Sequence, residues 1–399
     1  MRILFLAPHP FFAERGTPIA VRQAVTVLCK HGHEIDLLTY HEGEDIEIPG
    51  ARLIRIRPGP GIRNVPIGFS LRKLVCDAWM ALAAFRLVRR HDYDVVHAVE
   101  EAVFIGLMCR TLRRFKLVYD MDSLMPDQIA EKWPWARSLL PPLRWFEGQA
   151  IRRSDLVLAV CQAVADRAAS TTAPSRVHLL PDMAFDGEGT ETGEIEALRG
   201  LFRAEAPLAL YVGNLEHYQG IDLMLEAVAQ LPPEKPCNLV VIGGGEGATR
   251  HYSEKASEMR IGERVRFLGH RPLSMLGHYL EQADILCSPR LRGVNTPMKI
   301  YSYMASGRAV LATDIPSHSQ VLDPGCALLA PATPSAFATG LARLLDDPEL
   351  RETLGRSAAG KAARLYSASA FADRLTRAYA TIAGPEAVQD EMCPCPPTG

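Results

Sequence analysis

Cysteine pairs, long apolar runs and any strong imbalance of charge are missing from this sequence of 399 residues. Its nine cysteines stand at 29, 76, 109, 161, 237, 287, 326, 393 and 395, none of them in a CxxC spacing. An odd, scattered set speaks against a secreted disulfide framework, and a reducing cytoplasm is the expected setting. No run of about eighteen apolar residues occurs, so no membrane-spanning helix is expected. The apolar opening MRILFLAP is cut by Pro8 and soon meets Glu14-Arg15, which suits a buried first strand better than a signal segment. Formal net charge is −2, so bulk electrostatics offer no argument for a nucleic-acid partner. The carboxylate spacings carry no metal signature. The Cys-Pro-Cys near the end belongs to a stretch, 384–399, whose composition predicts disorder.

What is present is an ordinary globular balance, 48% hydrophobic and 23% charged, on a chain too long for one core. Charge divides between the halves: residues 1–180 hold 24 Lys/Arg against 19 Asp/Glu, and residues 181–399 hold 20 against 27. Short apolar runs alternate with helical patterns. RILFLAP (2–8) precedes TPIAVRQAVTVLCKHG (17–32), a helix with Thr17 as N-cap, Pro18 in its first turn and Gly32 beyond its end. Further strands are predicted at EIDLLTY, ARLIRIR, DVVHAV, KLVYDMD, DLVLAV and RVHLLPD, with helices near 70–90 and 101–114. The acidic, Gly-rich DGEGTETGE predicts a linker within 184–199, after which LALYVG (208–213) restarts the pattern. The alternation predicts an α/β fold of two Rossmann-like doubly wound domains, 1–183 and 200–367, facing each other across a cleft.

Three stretches carry chemistry. ERGTPIAVR places Gly16 in the loop before a helix, where backbone N–H groups suit an anion or merely close a turn. VVIGGGEG lets backbone approach something closely, but it lacks the GxGxxG spacing of a nicotinamide site. SPRLRGVNTPMK (288–299) gathers Arg290, Arg292 and Lys299 around a helix start at Asn295-Thr296-Pro297, with Thr296 as cap. Such a start suits a diphosphate, the bland alternative being a solvated surface helix. Lys299 and Ser302, three residues apart, share one helical face.

Taken as a series, LYVGNLEHYQGIDLMLEAV, LVVIGGGEG, RVRFLGHRP, ADILCSPR and TPMKIYSYMASGRAVLATD resemble the family-4 retaining glycosyltransferases in order and spacing. GHEIDLLT and DVVHA resemble the family's N-terminal half, so the likeness runs over about residues 1–383. The resemblance implies a GT-B architecture with a nucleotide sugar, expected to be UDP-linked, on the C-terminal domain and an acceptor on the N-terminal one. It implies that the last helix, 368–383, crosses back to the first domain, and that neither metal nor other cofactor is needed. It makes Gly16, Thr17, Gly213, Asn214, Gly243, Gly244, His270, Arg290, Arg292, Asn295, Thr296, Lys299 and Ser302 the donor-site residues.

Departures from the family pattern matter equally. Its two glutamates eight positions apart fall here on Val294 and Ser302, and its Arg and Lys after the YVG strand fall on Asn214 and Gln219. Charge for a departing diphosphate must then come from the 288–299 cluster. Ser302 keeps a neutral hydrogen bond of about 0.5–1.5 kcal/mol where a charged one contributes about 1.5–3. On the acceptor side, His97 ends a buried strand, where the family often has an active-site histidine; a core histidine is the equal alternative. Asp122 is the candidate base. Between Arg52 and Arg90 stand nine Arg/Lys and one acid, Asp77. There the helix 69–90 carries an apolar stripe at 71, 74, 75, 78, 82 and 85, expected to face the sheet, and Arg72, Lys73, Arg86 and Arg89 on its other face. Those basics suit either solvent or an anionic membrane surface, which would make the protein peripheral on the inner face of a membrane with a lipid-linked acceptor. A nucleotide-sugar epimerase and a non-catalytic membrane scaffold are the competing functions on this architecture.

Overall fold

The computed structural model describes residues 1–14, 16–57, 62, 63, 65, 70–185, 196–203, 205–232 and 234–383. They form two compact units: Met1–Pro181 with the described chain from Ala372 onward, and Asp182–Phe371.

The first unit is built on β1 (Arg2–Ala7), β2 (Glu34–Thr39), β3 (Ala51–Arg55), β4 (Val95–Val99), β5 (Lys116–Met121), β6 (Leu156–Ala159) and β7 (Val177–Leu179). All pair in parallel in the order β3-β2-β1-β4-β5-β6-β7. Residues Ile3 to Ala7 of the central β1 are wholly buried, as a strand covered on both faces must be. Its helices are α1 (Gly16–Lys30), α2 (Leu71–Arg90), α3 (Ala102–Cys109), α4 (Met125–Lys132), α5 (Leu140–Arg153) and α6 (Gln162–Ala169). The chain steps one way from β1 to β2 and the other way from β3 onward. Right-handed crossovers therefore put α1 on one face and α2, α3, α5 and α6 on the other. Within that layer α3 packs between α2 and α5.

The second unit contains β8 (Leu208–Val212), β9 (Asn238–Ile242), β10 (Val265–Gly269), β11 (Ile285–Ser288), β12 (Ala309–Thr313) and β13 (Leu328–Ala330), ordered β10-β9-β8-β11-β12-β13 and parallel throughout. Around them lie α7 (Ile221–Ala229), α8 (Glu246–Glu258), α9 (Leu276–Gln282), α10 (Met298–Ala305), α11 (Pro316–Ser319), α12 (Pro334–Asp346) and α13 (Pro348–Leu365). One sheet face buries Met224, Val228, Phe337 and Leu341, and the other buries Tyr279, Tyr301, Tyr303 and Met304. The division between the units falls inside α14 (Ala368–Ala380).

Strand order reverses once in each sheet, between β1 and β4 and between β8 and β11. A ligand crevice forms outside the carboxyl ends of strands at such a switch point. The loops that follow β8 and β11 are therefore where a ligand of the second unit belongs.

Two expectations of the sequence need correcting. The helix expected over 101–114 ends at Cys109. More consequentially, α2 faces the other way round. Its buried residues are Cys76, Met80, Ala84 and Val88, whereas Leu71, Leu74, Val75 and Leu82 of the expected inner stripe are exposed. Polar anchors set that rotation: Lys73 pairs with Glu101, and Asp77 accepts the hydroxyl of Tyr40. Both ties draw their side of the helix inward, and the buried residues recur every four positions along that side. Lys73 is thereby removed from the outer basic face, while Arg86 and Arg89 stay exposed and Arg72 donates to the carbonyl of Arg63. Of the expected linker 184–199, residues 186–195 lie outside the described residues, as does the whole tail 384–399. Ala184 and Phe185 are bonded into the second unit, to the carbonyl of Tyr366 and the hydroxyl of Ser302.

Candidate functional site

After β8 the chain turns at Gly213, whose φ of +149° leaves a gap that a side chain would fill. A Cβ there would stand 3.1 Å from Nζ of Lys299 and 3.0 Å from the hydroxyl of Tyr211. Gly243, which follows β9, has a φ of +117°, and a Cβ on it would meet the carbonyl oxygen of Gly213 at 2.0 Å. The N–H groups of Gly213 and Gly243 donate to the carbonyls of Ile242 and Gly269, so the turns after β8, β9 and β10 are laced together. Gly244 continues that turn at positive φ, and His270 stands exposed one residue past β10.

The loop after β11 closes onto the loop after β8. The N–H of Leu291 donates to Tyr218, and Gly220 approaches Pro289 so closely that a Cβ would overlap its carbonyl. Arg290 braces this loop from within, donating to the carbonyls of Arg292 (2.8 Å) and Asn295 (3.0 Å), its guanidinium 5.3 Å from the Tyr218 ring centre. Beneath it runs a buried polar chain. His318 meets Ser288 Oγ at 2.9 Å and the Thr313 carbonyl at 2.8 Å, and the Thr313 hydroxyl donates to the carbonyl of Arg290. Burial pushes the imidazole of His318 down to about 4, so it works as a neutral brace.

Lys299 lies at the centre of these loops. It enters from the first turn of α10, with Nζ 3.8 Å from the Tyr211 ring centre and 3.3 Å from Oε1 of Gln219. Both partners are neutral. Burial drives its amine well below the ordinary lysine range, and the charge of Arg290 adds to the effect. An amine held in this way is complementary to an anion that enters from outside, which favours its charged form. Gln219, one of the two positions at which the sequence departs from the expected basic pattern, is thus a direct partner of Lys299.

The other residues expected at a donor site are placed less uniformly. Thr296 does not cap α10: Pro297 occupies the cap position in extended conformation, and Thr296 Oγ1 accepts from Nε2 of Gln320. Gln320 also donates to the carbonyl of Val294, which fixes the approach to α10; nothing local in the sequence marks that role. Ser302 is buried and its Oγ accepts from the N–H of Phe185 at 3.1 Å, which uses one of the two lone pairs of its hydroxyl. Asn214 is exposed, its carbonyl accepting from Tyr211 at 2.6 Å. Arg292 is exposed on the same loop as Arg290. In the first unit Gly16 opens α1, so Thr17 belongs to its first turn and does not cap it.

His97 is a core residue. It is fully buried, stacked 3.9 Å from Phe5, with Nε2 3.1 Å from Asp120 and Nδ1 2.7 Å from the hydroxyl of Tyr379 on α14. The carboxylate takes the Nε2 proton and the tyrosine donates to Nδ1, so neither nitrogen is left for substrate. Tyr379→Phe should cost about 1–3 kcal/mol of the first unit's stability in urea unfolding, the price of an unmet buried acceptor. An unchanged midpoint would contradict that tie. Past His97, Glu100 holds a φ of +50° and accepts from Ser123 Oγ at 3.0 Å. Burial, then the charge of Glu101, raises its carboxyl to about 8. Asp122 is half-buried just beyond β5. Among the described residues no group of His, Cys, Asp and Glu is arranged to hold a metal ion.

Comparison with known proteins gives this geometry a context. The model of the family described as "Glycosyl transferases group 1" matches residues 197–361, and that of "Glycosyltransferase Family 4" matches residues 15–182. The chain belongs to the glycosyltransferases. A D-inositol 3-phosphate glycosyltransferase of Corynebacterium efficiens is 26% identical over 388 residues, covering 91% of this chain and 90% of the relative. A phosphatidyl-myo-inositol mannosyltransferase of Mycobacterium tuberculosis is 24% identical, covering 96% and 98%. An alpha-D-kanosaminyltransferase of Streptomyces kanamyceticus is 28% identical over 251 residues, 61% of this glycosyltransferase and 64% of the relative. Among solved structures, sucrose-phosphate synthase of Thermosynechococcus elongatus superposes with a TM-score of 0.78 at 21% identity, covering 96% and 98%. The Anabaena protein HepE, solved with UDP-glucose, gives 0.73 at 16% identity, covering 96% and 100%. Both likenesses establish the GT-B fold.

Proposed function

We propose that this enzyme is a retaining glycosyltransferase that moves a sugar from a UDP-linked donor to a hydroxyl of a lipid or lipid-linked acceptor at the inner membrane surface. The observation that carries the reading is Lys299, a buried amine beside the Gly213 turn whose direct partners, Gln219 and Tyr211, are both neutral. A diphosphate seated there meets the charge that Asn214 and Gln219 do not supply. Stabilising the charge that develops on that diphosphate is the largest catalytic contribution, and the departing phosphate helps to deprotonate the acceptor. With Val294 and Ser302 in place of carboxylates, the sugar and ribose are held by neutral groups, and binding energy shifts toward the phosphates.

On the acceptor side His97 is withdrawn into the core. The acids that remain at the ends of β4 and β5 are Glu100 and Asp122, which we assign to orienting the acceptor hydroxyl. The lipid reading rests on Arg72, Arg86 and Arg89 of α2, which lie among exposed leucines, and on the relative named a phosphatidyl-myo-inositol mannosyltransferase. No described helix is long and apolar enough to cross a membrane. Incubation with UDP-sugars and phosphoinositide-containing vesicles, followed by NMR of the glycolipid, tests the proposal. Release of UDP with a product that keeps the donor's anomeric configuration is expected. An inverted product contradicts retention, and no UDP release from any sugar contradicts transfer.

A further inference from the structure

The helical layer formed by α2, α3 and α5 exposes more than basic residues. Trp135 is 68% exposed, Trp145 56%, Phe146 54% and Leu139 44%, all on the segment that leads into and through α5. Trp145 and Phe146 stand edge to face, ring centres 5.0 Å apart, and Trp135 stacks obliquely near Trp133 at 6.5 Å. The next residue, Glu147, is only 2% exposed and reaches Arg167 at 3.7 Å. Helix α5 thus turns a carboxylate inward and a tryptophan–phenylalanine pair outward. Burial of apolar area cannot account for that choice if water is the only thing outside.

Charge identifies the occupant. From Trp133 to Arg153 the sequence carries Arg137, Arg144, Arg152 and Arg153 against the single, inward Glu147; Arg144 pairs with Asp127 of α4 at 2.6 Å, which leaves Arg137, Arg152 and Arg153 as the basic excess. Across α3, at whose end Met108 is exposed and beyond which Leu112 is exposed too, the outer side of α2 repeats the theme with Leu71, Leu74, Val75 and Leu82 among Arg72, Arg86, Arg89 and Arg90. Right-handed crossovers place all three helices on the same sheet face. Amphipathic aromatic rings in a field of arginines match the head-group boundary of an anionic bilayer: rings at the acyl edge and guanidinium groups among phosphates.

We propose that the 133–146 segment, together with the outer side of α2, is a bilayer-insertion surface in which Trp135, Trp145 and Phe146 enter the head-group boundary of an anionic membrane. The inference rests on the membrane reading above and goes beyond it. A basic strip alone adsorbs and is stripped by salt, since charges are screened within about 8 Å at physiological ionic strength, whereas inserted rings hold when salt rises.

Flotation of the full chain with phosphatidylcholine vesicles, with and without phosphatidylglycerol, at low and high salt tests this. Acyl-chain-brominated lipid serves as a tryptophan quencher. Wild type should float with anionic vesicles at both salts and be quenched. The variant Trp135→Ser, Trp145→Ser, Phe146→Ser should melt like wild type, lose about tenfold or more in affinity and keep no salt-resistant binding. The variant Arg72→Gln, Arg86→Gln, Arg89→Gln should lose chiefly what salt removes. If the aromatic variant floats like wild type at high salt, the insertion surface is overturned and the basic strip stands. If wild type floats with neither vesicle, both fall. If wild type is a dimer that the aromatic substitutions convert to monomer, the patch belongs to a second copy and the lipid assignment is overturned.

Discussion

Lys299→Ala should weaken UDP binding by about ten- to a hundredfold and leave uridine binding nearly unchanged, because a charged hydrogen bond contributes about 1.5–3 kcal/mol. Titration calorimetry with both ligands reads the difference, and equal losses would remove Lys299 from the phosphate site. The same residue should show a cost in the empty protein. Burial lowers the folded-state pKa of its amine, so the unfolded chain binds more protons across the window between that lowered value and the ordinary lysine value. The penalty is fully present below the folded pKa and fades as pH rises through it. Lys299→Met should therefore raise the melting temperature of the ligand-free protein while abolishing its stabilisation by UDP. Diphosphate favours the charged amine, so UDP binding should take up protons in that window and weaken as pH rises. A heat of binding that is the same in buffers of different ionisation enthalpy would contradict the linkage.

Gly243→Ala should be among the most damaging substitutions of the second unit that leave every charge in place. Its φ lies where L side chains are strained, and the new methyl would overlap the carbonyl of Gly213. Strain of about 1–3 kcal/mol and overpacking of a similar size add up to roughly 2–6 kcal/mol. Denaturant unfolding should show that loss, with UDP affinity falling alongside it as Gly213 moves off Lys299. Gly247, where an added Cβ meets nothing within 4 Å, is the matched control and should tolerate alanine. Equal stability of the two variants would mean that the Gly213–Gly243 contact is not tight.

Much of this architecture is legible in the sequence because its signals are local. Continuous apolar runs such as RILFLA and helical patterns such as IDLMLEAVA announce parallel strands and their crossovers, and the crossovers then dictate which loops meet at the switch point. The 288–299 cluster is legible for the same reason: Arg290 and Lys299 flank one helix start. What stays hidden depends on partners far along the chain. His97 reads as an active-site or a core histidine until Asp120 and Tyr379 are seen on its two nitrogens. The rotation of α2 follows from Glu101 and Tyr40, neither of which lies in the helix. The α5 aromatics escape periodicity because Trp145 and Phe146 are consecutive, and no pattern says that Glu147 is the one turned inward. The brace of Gln320 on Val294 and Thr296 joins two loops across about 25 residues, beyond any helical or strand period.

The central claim is that the second unit holds a nucleoside diphosphate through Lys299. A thermal-shift comparison of UDP, GDP, ADP and uridine on the wild type and on Lys299→Ala tests it most directly. At 100 times its Kd the correct diphosphate should stabilise the wild type by about 2.7 kcal/mol, and Lys299→Ala at the same concentration should keep about 0.4–1.4 kcal/mol of that. A wild type stabilised equally by uridine and UDP, or by no nucleotide at all, would contradict the account.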